Sequence, residues 1–471
     1  FGIACQQELR DLLPFIPCSS MTKKWLISMH LASFRSRTLF GASAIISGIF
    51  LLASGSTFAA KQQADDRIAT AVDQFAPQII EYRHQIHQNP ELGNREFETA
   101  SLVAEHLRSL GIQVTTGIAH TGVVGILEGG RPGPVVAVRA DMDALPVTEE
   151  TSYPFKSTVR TTYLNKEVGV MHACGHDIHT AVQMGVASVL ASMRDELPGT
   201  VKFIFQPAEE GPPPGEEGGA DLMVAENVLE NPRPSAIFGL HALAEMDVGK
   251  LGYTSGPALA AVDHFIAKIQ GKQAHGAYPH LSVDPVVMAA QAVTALQTIR
   301  SRTLPALEPS VVTVGIIRGG ERFNIIPMEV HLEGTVRTYD EEIRDVVESR
   351  MHQIFSGITA AGGGSYTLDY ERGSPATIND ADLGAAMRPT LERIVGAENV
   401  VTLDPVMGGE DFSYYANEIP GFFFRLGQVV PGTTSGGHHT PTFMADDSSV
   451  PIGMKAMAAL LVDYLTMETE R

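Results

Sequence analysis

The densest group of residues that could carry out chemistry lies in residues 171–179. This segment reads Met-His-Ala-Cys-Gly-His-Asp-Ile-His and places three histidines, a thiol and a carboxylate within nine residues. A thiol and an imidazole two positions apart, at Cys174 and His176, indicate a metal site, because sulfur and ring nitrogen are ligands that zinc and similar ions prefer. The alternative is a buried cysteine beside surface histidines. The two interpretations differ in whether further ligands lie elsewhere in the chain.

Further polar residues follow short apolar runs that are predicted to be buried strands. Ligands and catalytic groups of open α/β sheets lie beyond the carboxyl ends of the strands, so residues in these positions are expected at one edge of one sheet. Three predicted strands are followed by such residues, namely Asp143, the pair Glu209 and Glu210, and His241. A glycine-rich loop near the end of the chain supplies one more candidate, His439.

Each of these residues also has an ordinary explanation. Paired glutamates after a strand often form a solvated turn, and a histidine at a strand end often caps the strand. Taken together, however, one thiolate, three imidazoles and one carboxylate form a suitable set for two borderline divalent ions. One glutamate of the pair is then left without a ligand role. Metal-assisted hydrolysis needs such a carboxylate, because the ions acidify a water and a free base has to take its proton.

The elements that must position these residues alternate between helices and strands. Continuous apolar strands between amphipathic helices, one of them at 178–197, predict an α/β domain with a mostly parallel sheet. From residue 253 to residue 371 the predicted order is β-α-β-β-α-β, which is the split ferredoxin-like unit. The helix-then-strand pattern resumes afterwards. We therefore predict a catalytic domain in two parts, 61–252 and 372–471, interrupted by an α+β lid at 253–371.

Residues 1–60 are predicted to be a leader rather than part of the fold. From Met21 the chain carries four basic residues and no acid, then an apolar run at 39–53, then small residues suited to cleavage near Ala59. This is the order of a secretory signal peptide, so the protein is expected to be exported and to be periplasmic or secreted. An uncleaved N-terminal anchor is the alternative. No later segment is predicted to be long and apolar enough to span a bilayer.

The cysteine count supports a metal at Cys174. Cys5 and Cys18 lie upstream of Met21, so Cys174 would be the single cysteine of the mature chain. A lone thiol in an exported protein is either free to oxidise or held by another group, and a metal would hold it as the thiolate.

Composition sets broader bounds on fold and partners. The chain has 471 residues, of which 44% are hydrophobic and 19% are charged, which is ordinary for a globular protein of two or three domains. The formal net charge of −20 argues against nucleic acid and against an anionic membrane surface as partners. A small-molecule substrate is compatible with this charge, because a local site can be positive on an acidic protein.

With these motifs in place, the chain resembles the M20 metallopeptidase family. It is most similar to the branch of amidohydrolases that includes N-acyl-amino-acid hydrolases, hippurate hydrolases and plant auxin-conjugate hydrolases. The resemblance covers nearly everything after about Ala69, and its motifs are specific only in combination. They are residues 83–92, 140–146, 172–179, 206–211, 239–241, 274–280, 324–327, 408–412 and 439–441.

The resemblance implies two divalent ions per subunit, Mn²⁺, Zn²⁺, Co²⁺ or Ni²⁺. It implies Glu209 as the general base that later protonates the leaving amine. It also implies that Asp143 fixes the orientation of a ligand. The alternative for Asp143 is that it only holds the turn at the strand end. The metal ligands that the resemblance implies are Cys174, His176, Glu210, His241 and His439.

The lid is expected to contribute the substrate end of the site. The resemblance implies that His275 helps to stabilise the tetrahedral intermediate and that it can come from the partner subunit of a homodimer, so the lid would also be a dimerisation domain. Asn324 and Arg337 match positions that could hold the substrate carboxylate, for which an arginine fork is suited. The alternative for Arg337 is an outward-facing strand residue. His280 and His438 are expected in supporting roles.

The implied activity is hydrolysis of the amide bond of N-acyl amino acids, which releases a carboxylic acid and a free amino acid. A dipeptidase or carboxypeptidase of the same family would use the same chemistry and is the alternative. A catalytically silent metal-binding protein on the same fold is a different class. The sequence speaks against that class because every position of the implied site is filled.

Overall fold

A long helix, Gly41–Gln88, opens the described part of the chain. In this computed structural model the backbone is described for residues 41–470 and the side chains for residues 61–469. The chain divides into two units, 1–58 and 59–471. The predicted leader and its cleavage site near Ala59 therefore lie outside the residues whose side chains are described.

The described residues form nine α-helices and eighteen β-strands. The helices are α1 (Gly41–Gln88), α2 (Phe97–Ser109), α3 (His176–Ser192), α4 (Gly219–Ala225), α5 (Pro285–Thr298), α6 (Glu341–Gly362), α7 (Ala381–Val395), α8 (Ser413–Ala416) and α9 (Ser449–Glu470). The strands of the catalytic part before the lid are β1 (Gln113–Ile118), β2 (Gly122–Glu128), β3 (Arg131–Asp141), β4 (Arg160–Tyr163), β5 (Lys166–Gly169), β6 (Pro198–Gln206), β7 (Ile237–Asp247) and β8 (Leu251–Tyr253). The remaining strands are β9 (Gly256–Leu259), β10 (Ala261–Gln270), β11 (Ala274–His275), β12 (Ser310–Gly319), β13 (Ile325–Ile326), β14 (Glu329–Thr338), β15 (Ser365–Arg372), β16 (Thr377–Asn379), β17 (Val400–Thr402) and β18 (Gly421–Val429).

The larger sheet has eight strands in the order β1-β2-β6-β3-β7-β18-β8-β17. Four of its seven pairings are parallel: β6 with β3, β3 with β7, β7 with β18, and β8 with β17. The other three are antiparallel. The predicted α/β fold with a mostly parallel sheet is confirmed. Helices α3 and α9 pack together against one face of this sheet, and their apolar side chains form most of the main core.

A second sheet forms the predicted lid. Its four strands lie in the order β12-β14-β10-β15, and every pairing is antiparallel. Helices α5 and α6 cover one face around a separate core that includes Phe265, Leu332 and Phe355. The strands of this sheet and the two helices follow one another in the order β10-α5-β12-β14-α6-β15, with the two-residue strands β11 and β13 between them, so the predicted β-α-β-β-α-β unit is confirmed.

Two details differ from the sequence-based expectations. The helix predicted at 178–197 instead runs from His176 to Ser192, because Arg194–Glu196 form a separate 3₁₀ turn before β6. The hairpin β4–β5 was not predicted. Most residues of its two short strands are exposed or partly buried, and its turn uses left-handed backbone at Leu164 and Asn165, so no apolar run marks it.

Within the described residues, one helix is long and apolar enough by length and composition to cross a membrane. This segment, Ser449–Thr469, is mostly buried inside the protein. The expectation that no segment after the leader reaches this length and apolarity is therefore wrong. The helix is apolar because it packs against α3, α7 and the sheet.

Candidate metal centre and active site

The candidate site lies at one edge of three neighbouring parallel strands, β6, β3 and β7. Asp143 follows β3 and the Glu209–Glu210 pair follows β6, as predicted. His241, which was predicted to follow its strand, lies instead within β7, because that strand continues to Asp247. Cys174 comes just before α3, and His176 is the first residue of that helix. His439 comes from the loop before α9. The strand order therefore brings together residues that are distant in the sequence.

The five predicted ligands lie in two overlapping groups of side chains. Within each group the candidate ligand atoms are all within 4.8 Å of one another. The first group contains Cys174, His176 and His241, and the second contains Cys174, Glu210 and His439. Because the thiol is common to both groups, the arrangement is suited to two adjacent ions rather than to one.

The hydrogen bonds of His176 leave one ring nitrogen free for a ligand role. Its Nδ1 lies 2.8 Å from the backbone oxygen of Asp143 and 3.2 Å from the Asp143 carboxylate. A carbonyl oxygen only accepts, so Nδ1 carries the proton. The Nε2 atom is buried without a hydrogen-bond partner and lies 3.8 Å from Glu209 and 4.0 Å from Glu210. Asp143 thus orients His176 in the way that carboxylates orient metal-bound histidines.

His241 shows the same pattern at the other side of the thiol. Its Nδ1 donates to the backbone oxygen of Ala242 at 2.6 Å, which leaves the lone pair of Nε2 directed at Cys174 Sγ, 3.4 Å away. His439 has a left-handed backbone with φ of 62°. Its N–H donates to the Ala173 oxygen at 2.8 Å, and its Nε2 lies 3.1 Å from Glu210 Oε1.

These residues fit a pair of divalent ions. A buried imidazole nitrogen without a partner, as at His176, costs free energy that a metal would offset. Burial, together with the charge of Glu210, raises the pKa of the Cys174 thiol well above its ordinary value. The thiolate that a soft or borderline ion prefers is therefore stable here only beside a cation.

Two further histidines of the cluster have other roles. His179 Nδ1 donates to Asp141 at 2.6 Å, and its Nε2 accepts from the Ala242 N–H at 2.7 Å, so neither nitrogen is free. His438 Nε2 accepts from the Ala244 N–H at 3.1 Å. Its Nδ1 consequently carries the proton and points at Cys174 Sγ, 3.6 Å away. His438 thus supports the sulfur, in line with the supporting role expected for it.

The turn that carries Glu209 and Glu210 is held by two carboxylates. Asp143 Oδ2 accepts from the Glu210 N–H at 2.9 Å, and Glu96 Oε1 accepts from the Ala208 N–H, also at 2.9 Å. Burial, with the charges of Glu410 and Glu210, raises the pKa of the Glu209 carboxyl well above its usual range. A raised pKa suits a group that has to take up a proton.

A buried arginine network lies beneath this turn. The Arg139 guanidinium, completely enclosed, donates to Asp141 at 2.7 Å, to Asp411 at 2.6 Å and to Gln206 at 2.8 Å. It also lies 3.1 Å from Glu410. Its positive charge offsets the acids that underlie Glu209 and keeps them in place.

The site opens into a cavity of about 1080 Å³ between the larger sheet and the lid. Arg337 of β14 lines this cavity together with all the predicted ligands except the buried His176. Neither His275 nor Asn324 is among the described residues that line this cavity. They lie next to each other on the lid, where β11 pairs with β13, and His275 is exposed. The structure therefore brings Arg337 to the cavity but does not bring His275 or Asn324 there within one chain.

Sequence reasoning missed two residues that lie close to this site, Glu96 and Arg425. Glu96 directly precedes α2, where an acidic residue is ordinary, so nothing local marks its contact with Ala208. Arg425 did carry a signal, because it interrupts the apolar run Phe-Phe-Phe-Arg-Leu in a strand that is otherwise buried.

Comparisons with known proteins agree with this geometry. Residues 137–463 match the model of peptidase family M20/M25/M40. The N-acetyl-L-cysteine deacetylase of Bacillus subtilis (strain 168) is 38% identical over 375 residues, which cover 79% of this chain and 85% of that protein. Thermostable carboxypeptidase 2 of Saccharolobus solfataricus is 35% identical over 408 residues, which cover 85% of this chain and 98% of that protein.

A solved structure gives the same match in three dimensions. The YxeP protein of Bacillus subtilis is described as a dinuclear metal-binding peptidase of the M20 family. It superposes with a TM-score of 0.71 and 34% sequence identity, over 84% of this chain and 99% of that chain. The sheet and lid described above are thus shared with a protein that is described as binding two metals.

Proposed function

From the premise that this chain belongs to peptidase family M20/M25/M40, we propose that it hydrolyses N-acyl amino acids to a carboxylic acid and a free amino acid. The family membership makes it a metal-dependent hydrolase that acts on amide or peptide C–N bonds. The finer choice of N-acyl amino acids is supported by the relative that is named for deacetylating N-acetyl-L-cysteine.

The observation that carries this proposal is the state of Arg337. Its side chain is half-buried in the cavity that also contains Glu209 and Glu210. Among the described residues it has no hydrogen-bond acceptor and no carboxylate within 4.0 Å, and burial lowers its pKa. A partly buried guanidinium without an anion is costly, and it can bind a carboxylate through two parallel hydrogen bonds. Every N-acyl amino acid ends in such a carboxylate.

The side chains have separate tasks in this reaction. Arg337 binds the substrate carboxylate and so orients the amide. Glu209 takes the proton of the attacking water and returns it to the leaving nitrogen. The two ions would be held by Cys174, His176, Glu210, His241 and His439. Asp143 orients His176, and His438 supports Cys174. When bound, the ions supply the positive charge that acidifies the water and polarises the carbonyl.

A substrate panel tests the proposal. The purified protein is stripped with a chelator and resupplied with Mn²⁺, Zn²⁺, Co²⁺ or Ni²⁺, and amino-acid release is measured from N-acetyl, N-benzoyl and N-indolylacetyl amino acids and from simple dipeptides. Metal-restored release from the acyl amino acids is expected. Release from dipeptides alone would instead favour a dipeptidase or carboxypeptidase. Metal binding without release from any substrate would favour a silent binding protein.

We further propose that the protein is a homodimer in which His275 serves the partner's site. The exposed position of His275 outside its own cavity supports this, as do large exposed apolar side chains on the same lid, such as Leu307 at 93% and Phe323 at 97% exposure. Light scattering measures the mass in solution. Mixed dimers of His275→Ala and Glu209→Gln should regain activity, because one of the two sites then has both residues. Inactive mixed dimers would contradict an exchange of His275.

Export is a separate proposal that rests on the signal-peptide pattern of residues 21–60. Expression of the full chain followed by N-terminal sequencing of the mature protein tests it. A new N-terminus near residue 60 in the periplasmic or secreted fraction is expected. An intact N-terminus in the cytoplasmic fraction would contradict it.

A further inference from the structure

A second half-buried arginine lies beside the candidate metal centre. Arg425 is in the middle of β18, and all other residues of that strand are buried. β18 lies between β7 and β8 in the larger sheet, so Arg425 is far from the outer edges of that sheet. An arginine at such a position is unusual, because charged side chains are rarely enclosed without a partner.

The strand register places Arg425 next to His241. β18 and β7 are parallel, and Arg425 pairs with His241. Paired residues of neighbouring strands point to the same face of the sheet, and Phe423, two residues earlier, shares that face. The Phe423 ring lies 6.4 Å from the His241 ring, and the Arg425 guanidinium carbon lies 5.3 Å from the centre of the Phe423 ring. The guanidinium is therefore close to a proposed metal ligand.

Arg425 has no anionic partner among the described residues. Neither a hydrogen bond nor an ion pair within 4.0 Å is made by its guanidinium, although the charges of Glu410, Glu209 and Glu245 act on it from farther away. Arg139 lies on the same face of the sheet and provides a contrast, since its donors are taken up by Asp141, Gln206 and Asp411. Unlike the fully buried Arg139, the half-buried Arg425 has its donors free.

Free donors next to His241, a proposed ligand that lines the cavity, favour a binding function over a structural one, although Arg425 itself is not among the described residues that line that cavity. A structural arginine at this depth is expected to be paired, as Arg139 is. An anionic ligand group would supply the missing partner with charge-assisted, paired hydrogen bonds. The α-carboxylate of the substrate is already accounted for by Arg337, which is on the lid, whereas Arg425 is on the larger sheet.

We propose that Arg425 binds a second carboxylate of the substrate, so that the protein prefers N-acyl amino acids with two carboxylates. The inference rests on the proposed N-acyl-amino-acid hydrolase activity. The second carboxylate has two sources with the same chemistry: the side chain of an acidic amino acid, or the free end of a dicarboxylic acyl group. Both present a planar anion to the guanidinium fork.

Matched substrate pairs test this preference and identify the source. N-acetylglutamate is compared with N-acetylglutamine, and N-succinylalanine with its amide, N-succinamoylalanine, because each pair differs in one charge at nearly constant size. For the metal-loaded protein, kcat/KM is expected to be about 10- to 100-fold higher for the diacid of one pair, the range that charge-assisted hydrogen bonds support. The pair that shows the preference identifies the source.

Arg425→Met should abolish the preference for the diacid. For the uncharged member of each pair, kcat/KM should change by less than about threefold in this variant. Arg425→Lys should restore part of the preference, because it keeps the positive charge but not the guanidinium fork. Arg388→Met is the matched control, since Arg388 pairs with Glu392 on the exposed side of α7, at 2.6 Å. Metal content is measured for every variant. Thermal-shift measurements compare the binding of glutarate, which has two carboxylates, with that of butyrate, which has one. They use the Glu209→Gln protein, so this readout does not depend on turnover.

The outcomes separate this inference from the proposed function. Equal rates within both pairs, or a loss in Arg425→Met that is the same for all four substrates, would overturn the inference and leave the hydrolase activity in place. Loss of metal in Arg425→Met would likewise assign Arg425 to the support of the metal site. If the wild-type protein hydrolyses no acyl amino acid, charged or uncharged, both proposals fall.

Discussion

Glu96 and Ala208 are 112 residues apart in the chain, yet Glu96 Oε1 accepts a hydrogen bond from the Ala208 N–H at 2.9 Å. Ala208 has a left-handed backbone with φ of 51°, which is strained for a residue with a side chain. The next residue is Glu209, the proposed base. The buried carboxylate of Glu96 therefore stabilises the strained turn from which Glu209 points into the site.

Replacing Glu96 should affect both stability and turnover. Glu96→Ala leaves the buried N–H groups of Asn94 and Ala208 without acceptors, at about 1–3 kcal/mol each. We expect a lower denaturation midpoint in urea and a lower kcat. Glu96→Gln keeps an acceptor oxygen and should be much closer to the wild type. A wild-type kcat in Glu96→Ala would show that the turn holds Glu209 without this contact.

Removing the proposed base should separate turnover from metal binding. Glu209→Gln is expected to retain both ions and to lower kcat by about 10²–10⁴-fold, the usual contribution of general acid–base catalysis. Metal content by mass spectrometry and kcat on the best acyl amino acid are the two measurements. A kcat of Glu209→Gln close to that of the wild type would contradict the role of Glu209 as the general base.

Loss of the thiol should lower metal binding, whereas Glu209→Gln should leave it unchanged. Cys174 belongs to both groups of candidate ligands, so Cys174→Ala is expected to lower the content of one or both ions. In the wild-type protein, metal uptake should also release a proton, because the buried thiol has a raised pKa and binds as the thiolate. Calorimetry in buffers of different ionisation enthalpy measures this proton. Unchanged metal content in the variant would contradict a ligand role.

Arg337 should bind the α-carboxylate of the substrate. Arg337→Met is expected to lower kcat/KM for N-acyl amino acids by about 10- to 100-fold, mainly through a higher KM, since a charge-assisted contact is lost. An amide-capped substrate without the α-carboxylate should be insensitive to the same substitution. Equal losses on both substrates would place Arg337 in a structural role.

Stability should depend on pH through His87. Burial lowers the pKa of His87, but the charges and hydrogen bonds of Asp177 and Glu149 outweigh burial and raise it to about 9. A raised folded-state pKa stabilises the protein fully below the ordinary value of about 6.5, and the stabilisation is lost as pH rises through about 9. The difference in Tm between the wild type and His87→Gln should therefore be large near pH 6 and should shrink by about pH 9.5. A difference that stays constant across this window would contradict a protonated His87.

The convergence of the site could be anticipated from the sequence because parallel strands share one carboxyl edge. Residues that follow β3 and β6 had to meet there, and Asp143 and Glu210 do; His241 joins them from within the neighbouring strand β7. Their roles as ligands or as orienting groups stay predictions. Arg337 could be anticipated only from the family resemblance, and the structure places it in the cavity.

Other residues could not be anticipated, for physical reasons that differ from case to case. The partner of Glu96 is a backbone N–H, which every residue type except proline supplies, so no pattern of side chains marks the contact. Arg425 stood out in an apolar strand, but its neighbour His241 follows only from the order in which β7 and β18 pair. His275 illustrates a third limit, since a single chain does not show which surface a second subunit would cover.

The position of β18 has a consequence for how the protein is made. This strand completes the middle of the larger sheet, but the ribosome synthesises it only after the whole lid, and His439 follows later still. A nascent chain that ends before residue 421 carries β7 with an unpaired edge, which is a site for mispairing and for chaperone binding. The proposed metal site would thus assemble last, and metal uptake would report that translation and folding of both halves are complete.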